Sequence, residues 1–276
     1  MQINKNVIHG YNIFEKKLNR QYDLIDPYIS SWIKWFMPGI CGKTTFKHYI
    51  PINGIVEAIE KICSNKTFNR FVILQGEVPF YENILKAQKQ NYIKINPNNL
   101  SEIKSGDLVC ISMPFSATAS IPDWYKELCD YLEKHNIQSF IDGAYIGTIN
   151  KSVYIPSTCI FFSLSCSKPF NASGLRSGIL CCEEILDSFI PKIKLANYNY
   201  YTMETSIELL EKYNCFYVYN YFRRLQEDYC SLHNLICSDS VVLSYTFNLD
   251  HNLKDIMIYN DDLKMYRLCM PKVLKS

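Results

Sequence analysis

Strand-like and helix-like runs alternate between residues 53 and 142, and that alternation leaves few folds open. Ile55, Ile59 and Ile62, with Val56 and Ala58 beside them, mark one face of a helix that Asn53-Gly54 opens and that closes near Cys63. Arg70 to Leu74 (RFVIL) is a short apolar run ending at Gly76, and Pro79 begins a second helical stretch. Tyr92 to Ile95 and Leu108 to Ser112 read as two further strands. Ile121, Trp124, Tyr125, Leu128 and Leu132 then recur at helical spacing, with Ser120 placed to cap them and Pro122 early in the turn. Ser139-Phe140-Ile141 runs as a strand into Asp142. The pattern predicts an α/β fold, a mostly parallel sheet covered on both faces.

The rest of the chain narrows the class. Ile185 to Leu235 is helical in pattern, whereas Val241 to Phe247, Ile256 to Tyr259 and Met265 to Cys269 read as short strands of a small α+β domain. At 276 residues there is room for one large domain and one small one. Lys+Arg 29 against Asp+Glu 27 gives no electrostatic case for nucleic acid or a membrane surface, and no apolar window is long enough to span a bilayer. The amino terminus has no signal-like stretch and the twelve cysteines form no CxxC, so reduced thiols and a cytoplasmic location are expected. His9, His48, His135, His233 and His251 stand far apart, and no metal site is expected. Gly39-Ile40-Cys41-Gly42-Lys43-Thr44 has two residues between its glycines where a P-loop needs four.

Ligands of an open α/β sheet sit outside the carboxyl ends of its strands. Three such ends carry chemistry. Asp142-Gly143-Ala144-Tyr145 leaves a strand with a carboxylate suited to a ring nitrogen and a phenol three residues on. Pro114-Phe115-Ser116-Ala117-Thr118-Ala119 offers the Ser116 hydroxyl. Residues 163–178, SLSCSKPFNASGLRSG, set Lys168 between two apolar runs, where a desolvated amine suits an aldehyde held as a Schiff base; Arg176 and nearby hydroxyls suit that aldehyde's phosphate.

Ser165-Cys166-Ser167-Lys168 followed by Gly174-Leu175-Arg176-Ser177-Gly178 resembles the lysine signature of the class I/II aminotransferases, fold-type I pyridoxal-phosphate enzymes. Asp142-Gly143-Ala144-Tyr145 is similar to the family's Asp-x-Ala-Tyr, and Asn53-Gly54-Ile55 to the helix start whose amides hold the phosphate. Tyr81 falls where an aromatic stacks on the pyridine ring, and Tyr266-Arg267-Leu268 resembles the strand whose arginine binds the substrate carboxylate. The chain departs from the family at Ser116-Ala117-Thr118-Ala119, where the usual loop is Asn-Pro-Thr-Gly, and at Ser177, where the family has an aliphatic residue. It is also markedly shorter than typical members.

The resemblance implies a pyridoxal-phosphate large domain over residues 46–205, with residues 1–45 and 206–276 forming an amino-terminal segment and a reduced small domain. It implies Lys168, Asp142 and Tyr145 as catalytic residues. Asn53, Gly54, Ile55, Tyr81, Ser116, Ser165 and Arg176 would complete the cofactor contacts, and Arg267 would bind substrate unless it pairs with Asp261 or Asp262. The implied activity is amino-group transfer between an amino acid and a 2-oxo acid. The alternatives are a lyase, decarboxylase, cyclase or oxidase on the same cofactor, or a non-catalytic binder. A homodimer is expected, with Tyr28, Trp32 and Trp35 either at the contact surface or packed on their own chain.

Overall fold

All the strands read from the sequence between residues 70 and 182 lie in one seven-stranded sheet. The order across it is His48–Ile52, Gly178–Cys182, Cys159–Ser165, Gln138–Asp142, Asp107–Ser112, Arg70–Leu74 and Tyr92–Ile95. Six strands run one way, and Gly178–Cys182 runs against both of its neighbours. The structure is a computed structural model and describes residues 23–65, 67–249 and 252–274. His9, His251 and the first 22 residues of the amino-terminal segment lie outside the described residues.

Alternate side chains of each strand feed separate cores. Val72, Val109, Ile141, Phe162 and Ile179 pack into one. Phe71, Leu108, Phe140, Phe161 and Leu180 pack into the other. Strands covered on both faces need continuous apolar sequence, which is why runs such as RFVIL carry no polar alternation. Helices Ile55–Cys63 and Pro79–Ala87 close the second core; Ile25–Phe36 and Trp124–Lys134 close the first. Helix Ile25–Phe36 belongs to this body: Phe36 meets Phe162 edge-on at 5.8 Å, and the Tyr28 hydroxyl donates to the Gly178 carbonyl at 2.7 Å. Tyr28, Trp32 and Trp35 are buried within their own chain, which removes them as a contact surface for a second copy.

Two local expectations are corrected. Ser120 does not cap a helix: its Oγ accepts the Asp239 amide at 2.8 Å, and the helix begins at Trp124. The stretch 185–235 is not one helix but Ile190–Lys194, Tyr200–Lys212 and Tyr217–Leu232. The carboxyl-terminal strands form a second, four-stranded antiparallel sheet, in the order Ile236–Cys237, Leu243–Thr246, Met265–Cys269 and Met257–Asn260. The P-loop-like segment is structural. Ile40–Gly42 pairs with Val153–Ile155, and Lys43 meets Glu183 at 2.7 Å. Among the described residues no helix is long and apolar enough to cross a membrane.

Candidate active site

Ser112, Asp142 and Ser163 stand in register at the carboxyl ends of three adjacent parallel strands, so they share one face of the sheet. Asp142 is buried; its Oδ2 accepts the Tyr81 hydroxyl at 3.0 Å and its Oδ1 the Ala144 amide at 2.9 Å. Burial pushes its carboxyl up to about 6, against the lowering effect of those two hydrogen bonds and of the Lys168 charge. Ser163 Oγ, beside it, is buried without a hydrogen-bond partner.

Lys168 lies on the turn that follows Cys159–Ser165, with its Nζ 5.6 Å from the centre of the Tyr145 ring. The expectation of a desolvated lysine is not met: the residue is exposed, because the turn lifts it clear of the strands that flank it. Tyr145 itself is 6 % exposed and packs with Ala119, Val241 and Val242.

Arg176 closes the same loop in a left-handed conformation (φ 52°) that few non-glycine residues adopt. Its guanidinium rests against Gly54, where a Cβ would come within 3.3 Å of Nη2. Gly54 has φ 90° and stands at the amino end of helix Ile55–Cys63, so only glycine suits the position. A helix start with an arginine over it is an anion cradle, since the first amides of a helix have no partner within it. The Asn53 amide is not among those left for an anion, because it donates to Glu57 Oε2 at 2.6 Å. Ser165 is buried at the end of its strand, opposite Gly178.

Two expected roles change. Tyr81 is wholly buried and bonded to Asp142, so it braces that carboxylate from within the core rather than lying open to a ring. The hydroxyl of Ser116 donates to Glu77 Oε2 at 2.7 Å and accepts the Val78 amide at 3.0 Å. Glu77 is the residue that sequence reasoning missed. It is 2 % exposed and also accepts the Ser112 amide at 2.7 Å and the Ser112 hydroxyl at 2.8 Å. Burial, with a smaller contribution from the nearby Asp142 charge, pushes its carboxyl up to about 7. An acid three residues beyond a strand end looks like a solvated turn; only the facing Ser112 and Ser116 give it away. Ser177, the other departure, joins a buried chain of hydroxyls, 2.8 Å from Tyr28 Oη and 2.6 Å from Ser206 Oγ.

Arg267 reaches this region from the second sheet. It stands opposite Tyr245, hence on the same face, and Tyr245 packs against the cluster that holds Tyr145 and Ala119. Its Nε is buried without a hydrogen-bond partner, and among the described residues no carboxylate forms an ion pair with it. Asp262 is engaged elsewhere, accepting the Gly76 amide at 2.9 Å and meeting Lys94 at 2.5 Å.

Residues 78–210 match the family model described as aminotransferase class I and II. That segment is similar to the class I/II aminotransferases. Solved structures agree on the fold. The aspartate aminotransferase of Rhizobium meliloti superposes with a TM-score of 0.69 at 11% identity, over 93% of this chain and 83% of that one. A pyridoxal-phosphate-bound C–S lyase of Staphylococcus hominis gives 0.64 at 12%, over 93% and 80%. The L-threonine-O-3-phosphate decarboxylase of Porphyromonas gingivalis gives 0.61 at 13%, over 90% of each. At such identities the likeness speaks for the fold alone. No curated protein sequence matches the chain. Pyridoxal phosphate is the cofactor of the aminotransferase family, and the residues present fit it: a buried acid at a strand end, a lysine whose charge reaches that acid, an orphaned hydroxyl beside it, and a glycine–arginine anion cradle.

Proposed function

We propose that the chain is a pyridoxal-phosphate-dependent aminotransferase that moves an amino group between an amino acid and a 2-oxo acid. The observation that supports this most is that the Arg176–Gly54 cradle, Asp142 and Lys168 gather at one set of strand ends. When bound, pyridoxal phosphate supplies an electron sink for negative charge developing at the substrate α-carbon. Asp142 then holds a proton on the ring nitrogen, and Tyr81 holds Asp142. Arg176 with the amides of Gly54 and Ile55 grips the phosphate, and Ser165 borders that grip. The Lys168 amine takes the proton from the α-carbon and returns it on the other side of the transfer, as base and then acid. Tyr145 lies against the lysine and orients it, and Arg267 receives the substrate α-carboxylate.

The test is to give the cofactor-loaded protein single amino acids and measure pyridoxamine phosphate together with the matching 2-oxo acid. Equal yields of the two support transamination. Release of ammonia or carbon dioxide, without pyridoxamine phosphate, favours the lyase or decarboxylase chemistry found on this fold.

Arg267→Lys is expected to weaken amino-acid binding by roughly 1.5–3 kcal/mol, the scale of hydrogen bonds to charged groups, because lysine lacks the planar fork. Cofactor absorbance and thermal stability should hardly change, and an unaltered Michaelis constant would assign the arginine a structural role. For partners we place a second copy of the chain beside the site. Light scattering is expected to give a dimer, and a fully active monomer would remove that reading.

A further inference from the structure

A cavity of about 440 Å³ opens beside Lys168, within the usual range for small-molecule sites. One wall is the lysine turn itself, through Phe170. Val218 and Phe222 of helix Tyr217–Leu232 line it too, with Tyr213 just past the end of Tyr200–Lys212, and Val242 and Met270, which flank strands of the second sheet. Lys168 is the one charged residue among the described residues that line it. Met270 donates its amide to the Val242 carbonyl at 3.0 Å and stands just past the end of the strand Met265–Cys269 that carries Arg267.

We infer that this cavity receives the side chain of the amino-acid substrate, and that the side chain it selects is large and apolar, aliphatic or aromatic. The inference rests on reading the site as an aminotransferase. With its amine toward Lys168, a substrate brings its side chain to the cavity that this residue borders. An acidic side chain there meets valine, phenylalanine and methionine and finds no cation except the lysine that handles the proton. Leaving a carboxylate unpaired in such a wall is strongly unfavourable. Phenylalanine or leucine instead removes apolar surface from water on both sides of the contact.

Unreactive acids separate this from turnover. Calorimetry with 3-phenylpropanoate and with succinate is run on the cofactor-loaded protein and on the cofactor-free protein. The phenyl acid is expected to bind at least tenfold more tightly in both forms. Val218→Trp, which fills the cavity from a half-buried helix position, is expected to lower phenylpropanoate affinity at least tenfold and leave propanoate affinity unchanged. Succinate binding as tightly as the phenyl acid, or Val218→Trp without effect in a folded protein, overturns the inference. Absence of any pyridoxal-phosphate absorbance refutes the functional reading instead, and the ranking of the two acids still decides the cavity.

Discussion

Lys168→Ala is expected to reduce turnover by three to four orders of magnitude or more while the protein still folds and still takes up pyridoxal phosphate. General acid–base catalysis by one side chain contributes about 10²–10⁴-fold, and on the proposed function the same amine also anchors the cofactor. Folding is spared because the residue is exposed on a turn and packs into neither core. The phosphate grip is spared because Arg176 and Gly54 do not depend on the lysine. Borohydride treatment of the loaded wild type should fix the cofactor to the peptide that contains Lys168, and the alanine variant should yield none. Cofactor recovered on any other lysine would displace Lys168 from its role.

In the cofactor-free protein, stability is expected to fall as the pH rises from 5 to 8, and Glu77→Gln is expected to remove most of that slope. Glu77 moves from 4.5 to about 7 on folding and Asp142 from 3.8 to about 6, both chiefly through burial. Between its unfolded and folded values each acid binds more protons in the folded chain. Its contribution is therefore fully present below the unfolded value and is lost as the pH rises through the folded one. A shift of this size corresponds to about 3 kcal/mol for Glu77. The groups facing Glu77 are Ser112, Ser116 and Asp142, with Tyr81 and Cys110 close enough to feel its charge. None of them is a cation that would reverse the sign. Thermal midpoints measured across that pH range for both proteins check the claim; parallel profiles would refute it. Loading the cofactor should flatten the share that belongs to Asp142, because a protonated ring nitrogen favours the ionised carboxylate.

The seven-stranded sheet was legible because its strands are apolar on both faces and separated by amphipathic helices. Asp142 and Arg176 were legible as well, since each sits where a buried run gives way to small polar residues. The burial state of individual side chains was not. Lys168 looked enclosed because two buried strands flank it, yet a five-residue turn is enough to lift it out. Tyr81 looked like a ring cover, but a helical position beside Ile84 and Leu85 turns it inward to Asp142. Ser120 satisfied the local rule for a cap, but the segment at Asp239, far away in sequence, claimed its hydroxyl first. Tertiary hydrogen bonds of this kind leave no periodicity to read, and Glu77, held wholly by such bonds, left no trace at all.

The contacts of Asp262 tie the two sheets together. Its carboxylate sits at the tip of the terminal hairpin and fastens it to Lys94 and to the amide of Gly76, the residue before Glu77. The strand that carries Arg267 begins three residues after that fastening. The start of that strand is thereby tied to the backbone that bears Glu77, and through Ser112 and Ser116 to the strand ends around Asp142. On the proposed function, the arginine that would receive the substrate's carboxylate and the acid that would face the cofactor ring are thus joined through one short chain of polar contacts.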